Sequence, residues 1–312
     1  MLNDSVSVVL DETIESKLLQ GKSIHKFIPF KSFEKIKSYS LAEMNTPETI
    51  VIYNGKIIIG DTYNNNLVTI DMIEGEKKVI EFNDSPFHPF QIYIENGYKK
   101  DGKQSYGSAL IFYCFTQGVQ KHDMRDVLNE WNSSKAIWKL NVSFGCMIID
   151  KTRGAIHVFP KYEFLSAYVP VVFPENTSFD LETGVKLSDN FKINRETFTF
   201  PVFGPDNSVL IHDGNTIEKL ILKDGEYSDK DIGFRSLKKE GVYRLYYDNE
   251  LTGLLFVIGK DYISVLDTNL IEKYSYPIDF VCTQIAVNKE TSELFVLSAN
   301  NKILHVYKIH TD

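Results

Sequence analysis

Arginine is scarce in this chain: Arg125, Arg153, Arg195, Arg235 and Arg244 stand among 34 basic side chains. Arginine is the usual tool for gripping carboxylates and phosphates through paired hydrogen bonds, so its scarcity argues against a surface built for that purpose. Cysteine is scarcer still. Cys114, Cys146 and Cys282 are odd in number, far apart and set in apolar runs. They read as buried free thiols, which excludes a disulfide framework and a paired zinc spacing. No stretch reaches the roughly 18 apolar residues of a membrane span. The N-terminal "MLNDSVSVVLDETIESKLLQ" has acids early and no apolar centre of signal-peptide length. The expected compartment is therefore cytoplasmic or nuclear, and the sequons at Asn83, Asn132, Asn141 and Asn176 read as chance. An excess of positive charge is missing too. The net charge is −8 and the pI about 5.5, which argues against a general affinity for nucleic acid or anionic membranes. Also absent are a G-x-S-x-G elbow, an H-E-x-x-H pair, a P-loop and an EF-hand loop.

What is present is a repeat. "TIVIYNGKIIIGDTYNNNLVTID" (49–71) holds three apolar, β-branched runs joined by turn residues. Asn54-Gly55 is a strong hairpin signal, because a type I′ turn needs positive φ at both central residues. "KKVIEF" (77–82) supplies a fourth strand. A lone meander cannot bury both of its faces and needs neighbours stacked on it. The chain provides them. Similar strand–turn–strand units occur in "GCMIIDKTRGAIHVFPKYEFLSAYVPVVF" (145–173), "TFPVFGPDNSVLIHDGNTIEKLIL" (199–222), "VYRLYYDNELTGLLFVIGKDYISVLDTNLIEKYSYPI" (242–278) and "CTQIAVNKETSELFVLSANNKILHVYKI" (282–309). The second unit is spread out. "FQIYIENG" (90–97), "SALIFYCFTQG" (108–118) and "KAIWKLN" (135–141) are separated by the insertions "YKKDGKQSY" and "VQKHDMRDVLNEWNSS".

Six units spaced by about 40 residues are the signature of a β-propeller. The last unit has three clear strands, and "FEKIKSYSL" (33–41) near the N-terminus is an unpaired strand candidate. Pairing the two closes the ring and removes two exposed sheet edges. The expected fold is all-β. It is a single propeller domain over 1–312 with about six (or seven) four-stranded blades, an inserted loop or helix at about 118–134 and a long loop at about 174–192. A large β-sandwich, or two smaller β domains, is the structural alternative.

"GDTYNNNLVTID" (60–71) resembles the strand–turn–strand core of NHL-type and lactonase-like propeller blades, in which an Asp and an Asn-rich turn precede an apolar strand. The Trp-Asp and Gly-His marks of WD40 blades and the double glycine of kelch blades are absent. The resemblance is to a superfamily and carries an implication. Lactonase-like six-bladed hydrolases hold a calcium in the central tunnel, and the likeness would bring Asp61 and Asn65 into such a site. Asx turn chemistry explains the same residues without a metal.

Other candidates are local. His157 and His305 sit inside apolar strands and read as packed histidines. His212 and Asp213 adjoin at a turn, where Asp213 reads as the turn's stabiliser. In "VQKHDMRDVLNEWNS", Met124, Val127, Leu128 and Trp131 fall at i, i+3, i+4 and i+7, the apolar stripe of a short helix. His122 and Asp126 lie on its other faces. The stripe either packs on the propeller's own flank or docks into a partner's groove. The leading expectation is a non-catalytic scaffold for protein–protein interaction, in one form a subunit of a larger assembly. Met124, Val127, Leu128 and Trp131 are its partner-binding residues, and it has no cofactor. The alternative is a calcium-dependent, lactonase-like propeller hydrolase. Both stand at this point.

Overall fold

The computed structural model describes residues 27–82, 88–98, 107–114, 117–142, 145–151, 153–160, 177–188, 192–193, 199–205, 208–223, 226–228 and 235–311. Its strands follow one another round a six-bladed propeller. β1 (Phe30–Ser40) comes first in the chain and last in the ring. Blade 1 holds β2 (Pro47–Tyr53), β3 (Lys56–Asp61), β4 (Asn66–Asp71) and β5 (Lys77–Glu81). Blade 2 holds β6 (Pro89–Asn96), β7 (Ser108–Cys114), β8 (Gly118–Asp123) and β9 (Trp138–Leu140). Blade 3 holds β10 (Gly145–Asp150), β11 (Ala155–Pro160) and β12 (Thr177–Asp180). Blade 4 holds β13 (Lys192–Ile193), β14 (Thr199–Phe203), β15 (Ser208–His212), β16 (Thr216–Lys223), β17 (Glu226–Ser228) and β18 (Arg235–Lys238), with β17 and β18 both pairing along β16. Blade 5 holds β19 (Val242–Tyr247), β20 (Leu255–Gly259), β21 (Tyr262–Leu266) and β22 (Glu272–Pro277). Blade 6 holds β23 (Gln284–Asn288), β24 (Glu293–Ser298) and β25 (Ile303–Thr311), and β1 completes it.

The turns form for the reasons the sequence suggests. Asn54 and Gly55 have φ of 44° and 70°, the left-handed pair that a two-residue hairpin requires. Aspartates cap the wider turns. Asp248 accepts from the backbone N–H groups of Glu250, Leu251 and Thr252, and Asp213 from those of Asn215 and Thr216. These side chains satisfy turn amides that no strand partner reaches.

The core is divided. Both faces of a blade are apolar, so each blade buries one face against the blade before it and one against the blade after. Six clusters result, one in each gap. Ile58, Leu67 and Ile80 of blade 1 meet Ile92, Leu110 and Phe112 of blade 2. Ile57, Ile59 and Val68 meet Phe295, Leu297 and Leu304 of blade 6 from the other side. Closure between the last and first strands is antiparallel, from Phe30 opposite Thr311 to Ser40 opposite Ile303. Phe33 anchors it, with its ring 5.3, 4.9 and 5.4 Å from those of Tyr274, Tyr276 and Tyr307.

Two spans differ from expectation. The insertion at 118–134 begins later than its composition suggests. Gly118–Asp123 is the third strand of blade 2, and every residue in it is buried. Gln120, Lys121 and His122 look like loop residues because they are polar, yet each has a polar partner inside the fold. Only α1 (Met124–Asn129) and a single 3-10 turn, Ser133–Lys135, leave the sheet in this segment. The span read as a long loop at 174–192 contains β12, which pairs with β11. The end of the third repeat (161–173) and most of the "YKKDGKQSY" insertion (99–106) lie outside the described residues.

Candidate functional site: an arginine on the propeller axis

The innermost strands β2, β6, β10, β14, β19 and β23 surround the axis. Polar side chains tie neighbours together there. Met147 N–H donates to Gln91 Oε1 at 2.9 Å, and Tyr93 Oη donates back to the Met147 carbonyl at 3.3 Å. The rings of Phe90 and Phe200, from blades 2 and 4, approach to 6.2 Å, so the passage is narrow.

Arg244, on β19, stands at this convergence. Its Nη1 donates to Gln284 Oε1 of β23 at 2.7 Å. Its guanidinium lies 4.3 Å over the ring of Phe200 on β14, a cation–π contact. It feels the Glu48 carboxylate of β2, Tyr93 of β6 and Cys146 of β10, together with Cys282 just before β23. One side chain thus senses all six blades. Burial is the main influence on it and pulls its pKa down, with Glu48 acting in the opposite sense. Arg244 is half-buried, as are Glu48, Tyr93, Tyr246 and Gln284.

Glu48 is the counter-charge. Burial pushes its pKa up, and Arg244 offsets part of that rise. Among the described residues, no hydrogen bond or close ion pair joins the two side chains, and Gln284 is the one hydrogen-bond partner of Arg244. Burial also pushes Tyr93 up to about 12 and Cys282 to about 12, so neither ionises near neutrality. Among the described residues, the axis holds one cation, one carboxylate that resists ionisation, and aromatic and amide side chains.

The calcium candidates lie elsewhere. Asp61 is fully buried at the end of β3. Its Oδ2 accepts from Asn45 N–H and Asn64 Nδ2 at 2.7 and 2.8 Å, and its Oδ1 from Thr46 N–H at 2.7 Å. Asn65 donates to the Phe82 carbonyl and accepts from His88 N–H. A cation at this pair would have to displace protein donors already seated on its oxygens. Calcium needs six or more oxygen ligands. Among the described residues no three His, Cys, Asp or Glu side chains converge, and the axis already carries a permanent cation. The described residues do not fit a calcium.

The helical stripe takes the first of its two destinations. Met124 and Val127 are buried, and Leu128 and Trp131 pack on the core between blades 1 and 2. The Trp131 ring lies 4.3 Å from that of Phe82 and 4.6 Å from that of His122. Met124 and Val127 are spent on the propeller's own flank, while Leu128 and Trp131 keep part of their surface exposed. The histidines are structural in the same sense. His157 Nδ1 is 2.8 Å from Ser178 Oγ, and its Nε2 lies 3.8 Å from Asp150 Oδ2, beyond hydrogen-bond reach. These are the residue types of a hydrolytic triad, but all three are buried between strands. His305 repeats the theme with Ser38 Oγ at 3.0 Å and the Phe280 ring at 4.3 Å.

Arg244 and Glu48 were not among the sequence candidates. The available signal was a charged residue inside an apolar inner strand, "VYRLYY" and "PETIVIY". The rarity of arginine pointed away from it.

No protein-family model matches the chain, and no curated protein matches it. Solved structures match across nearly its whole length. A gluconolactonase from Xanthomonas campestris is 12% identical over 93% of this chain and 99% of its own, with a TM-score of 0.59. A chain of a mitotic checkpoint complex is 11% identical over 99% and 100%, with a TM-score of 0.56. A calcium-binding protein, regucalcin, from Agrobacterium tumefaciens is 14% identical over 92% and 97%, with a TM-score of 0.53. At these identities the likeness establishes the fold: the chain is a six-bladed β-propeller similar in architecture to gluconolactonase and regucalcin.

Proposed function

We propose that the protein works on a small molecule in its central tunnel, in the manner of a lactonase-like hydrolase, with Arg244 as its fixed positive charge. The carrying observation is Arg244 itself: a half-buried arginine on an innermost strand with one hydrogen bond among the described residues. Its remaining N–H groups suit a carbonyl oxygen that gains charge during attack, the role of an oxyanion-stabilising donor. Glu48, raised by burial, suits a general base that takes a proton from water as the water's oxygen adds to the carbonyl carbon. The likeness to gluconolactonase supports this reading over the scaffold reading, as does the packing of Met124, Val127, Leu128 and Trp131 on the propeller's own flank.

The test is hydrolysis of a panel of small lactones and aryl esters. Wild-type protein should turn over at least one member, equally well after treatment with EDTA. Arg244→Gln and Glu48→Gln should each lose that activity by a factor of about 10² or more while keeping a cooperative thermal transition. Turnover that disappears with EDTA, or that survives both substitutions, would overturn the reading. The scaffold reading keeps one support, the likeness to a chain of a mitotic checkpoint complex. It predicts an inert tunnel.

A further inference from the structure

On the reading that the tunnel is the working site, we propose that it recognises a small monocarboxylate with a flat apolar body, and that binding takes up a proton onto Glu48. Arg244 supplies the recognition. A guanidinium presents parallel N–H groups that match the two oxygens of a carboxylate. Gln284 holds one nitrogen in place, and the face against Phe200 fixes the plane of the fork. A guanidinium restrained in this way loses little freedom when it binds. The surroundings are aromatic: the Phe90 and Phe200 rings meet with their centroids 6.2 Å apart, and the guanidinium lies over Phe200. An apolar group behind the charged end would pack on the outer face of this ring pair.

The charge count sets the number of anions and the proton. Among the described residues, the titratable groups that act most on Arg244 are Glu48 from β2, Tyr93 from β6, Cys146 from β10 and Cys282 next to β23, and Tyr93 acts in turn on Tyr246. β14 contributes Phe200, which does not titrate. Burial holds the tyrosines and Cys282 in their neutral forms. Among the described residues that act on Arg244, one cation and one carboxylate remain beside Cys146. A second carboxylate beside an ionised Glu48 would put two negative charges against one positive in a narrow passage, and like charges at close quarters cannot both stay ionised. Glu48 already resists ionisation through burial. It accepts the proton, becomes a hydrogen-bond donor, and the ligand keeps its charge on Arg244. A dianion such as phosphate would leave one negative charge uncompensated. For a lactone or ester substrate, the carboxylate would be the hydrolysis product.

The experiment is isothermal titration calorimetry with benzoate, in two buffers of different ionisation enthalpy, across pH 6 to 8. Benzoate should bind with uptake of up to one proton. Its affinity should fall about tenfold per unit rise in pH where Glu48 of the free protein is ionised. Glu48→Gln should bind benzoate with no proton uptake and a flat pH profile, and Arg244→Gln should lose binding. Inorganic phosphate should bind at least tenfold more weakly than benzoate at the upper end of this range, where it is mainly the dianion. If Arg244→Gln does not fold, the Glu48→Gln profile decides alone. Benzoate binding without proton uptake, tighter phosphate binding, or no benzoate binding at millimolar concentration would overturn the inference. Ester turnover without carboxylate binding would sink this inference and leave the hydrolase reading standing. Carboxylate binding with proton uptake but no turnover would do the reverse.

Discussion

Lys121 shows how a single residue can mislead a reader of sequence. It is fully buried in β8, where its Nζ lies 2.6 Å from Glu95 Oε2 and donates to the Leu181 carbonyl at 2.8 Å. The rings of Tyr98 and Trp138 lie 5.2 and 5.9 Å from the ammonium. Removing one partner of a buried pair strands the other charge, so Lys121→Ala should cost about 3–5 kcal/mol by urea denaturation. Lys121→Met combined with Glu95→Gln should cost clearly less than the sum of the two single changes. Trp131→Ala should destabilise the free protein by about 3 kcal/mol, since the ring fills the gap over Phe82 and Phe112. Unchanged stability with a lost partner would restore the docking reading. The buried histidines predict a pH effect. Burial lowers the pKa of His157 against the pull of Asp150, and lowers that of His305 where Lys35 adds to the effect and Asp279 opposes it. Below the unfolded value of 6.5 the unfolded chain therefore binds protons that the native state refuses. Stability is fully present above that value and is lost as the pH falls below it. Glu48, whose shift is upward, works in the opposite sense. Melting temperatures of wild type and a His157→Asn/His305→Asn variant, compared between pH 7.5 and 5.5, should show a flatter slope in the variant.

At the scale of elements, the strands that could be read from sequence were those with turn punctuation at both ends. Asn54-Gly55 fixes the β2–β3 hairpin, and "FEKIKSYSL" was legible as the strand missing from blade 6 because that blade otherwise lacks one. Closure places Phe33 among Tyr274, Tyr276 and Tyr307. Deleting residues 1–42 should thus expose both this cluster and the edge of β25. A sharp drop in melting temperature is expected, and an unchanged value would contradict closure by β1. β8 was illegible for a physical reason. Hydropathy patterns assume that polar side chains face water, whereas Gln120, Lys121 and His122 are buried with partners of their own, among them Leu181 just after β12 and Gln117 just before β8. The span at 174–192 hid β12 because "TSFD" is short and mostly polar.

For the whole molecule, six apolar wedges between blades replace a single core. Stability is therefore spread round the ring, and polar groups gather at the axis. Periodicity revealed the ring, since each blade repeats the same local grammar. It could not reveal the site. The side chains at the axis come from strands scattered between Pro47 and Asn288, one or two from each, and no linear spacing brings Glu48, Tyr93, Phe200, Arg244 and Gln284 together. The scarcity of arginine misdirected the reading further, because one guanidinium in the right place suffices. The central claim is that Arg244 is the cation of this tunnel and that the tunnel receives a small anionic ligand. The most direct measurement is a high-resolution crystal structure grown with both calcium chloride and sodium benzoate. The account predicts a carboxylate seated against the Arg244 guanidinium and no calcium on the axis. A calcium ion held on the axis by protein oxygens, with Arg244 turned away from it, would contradict the account.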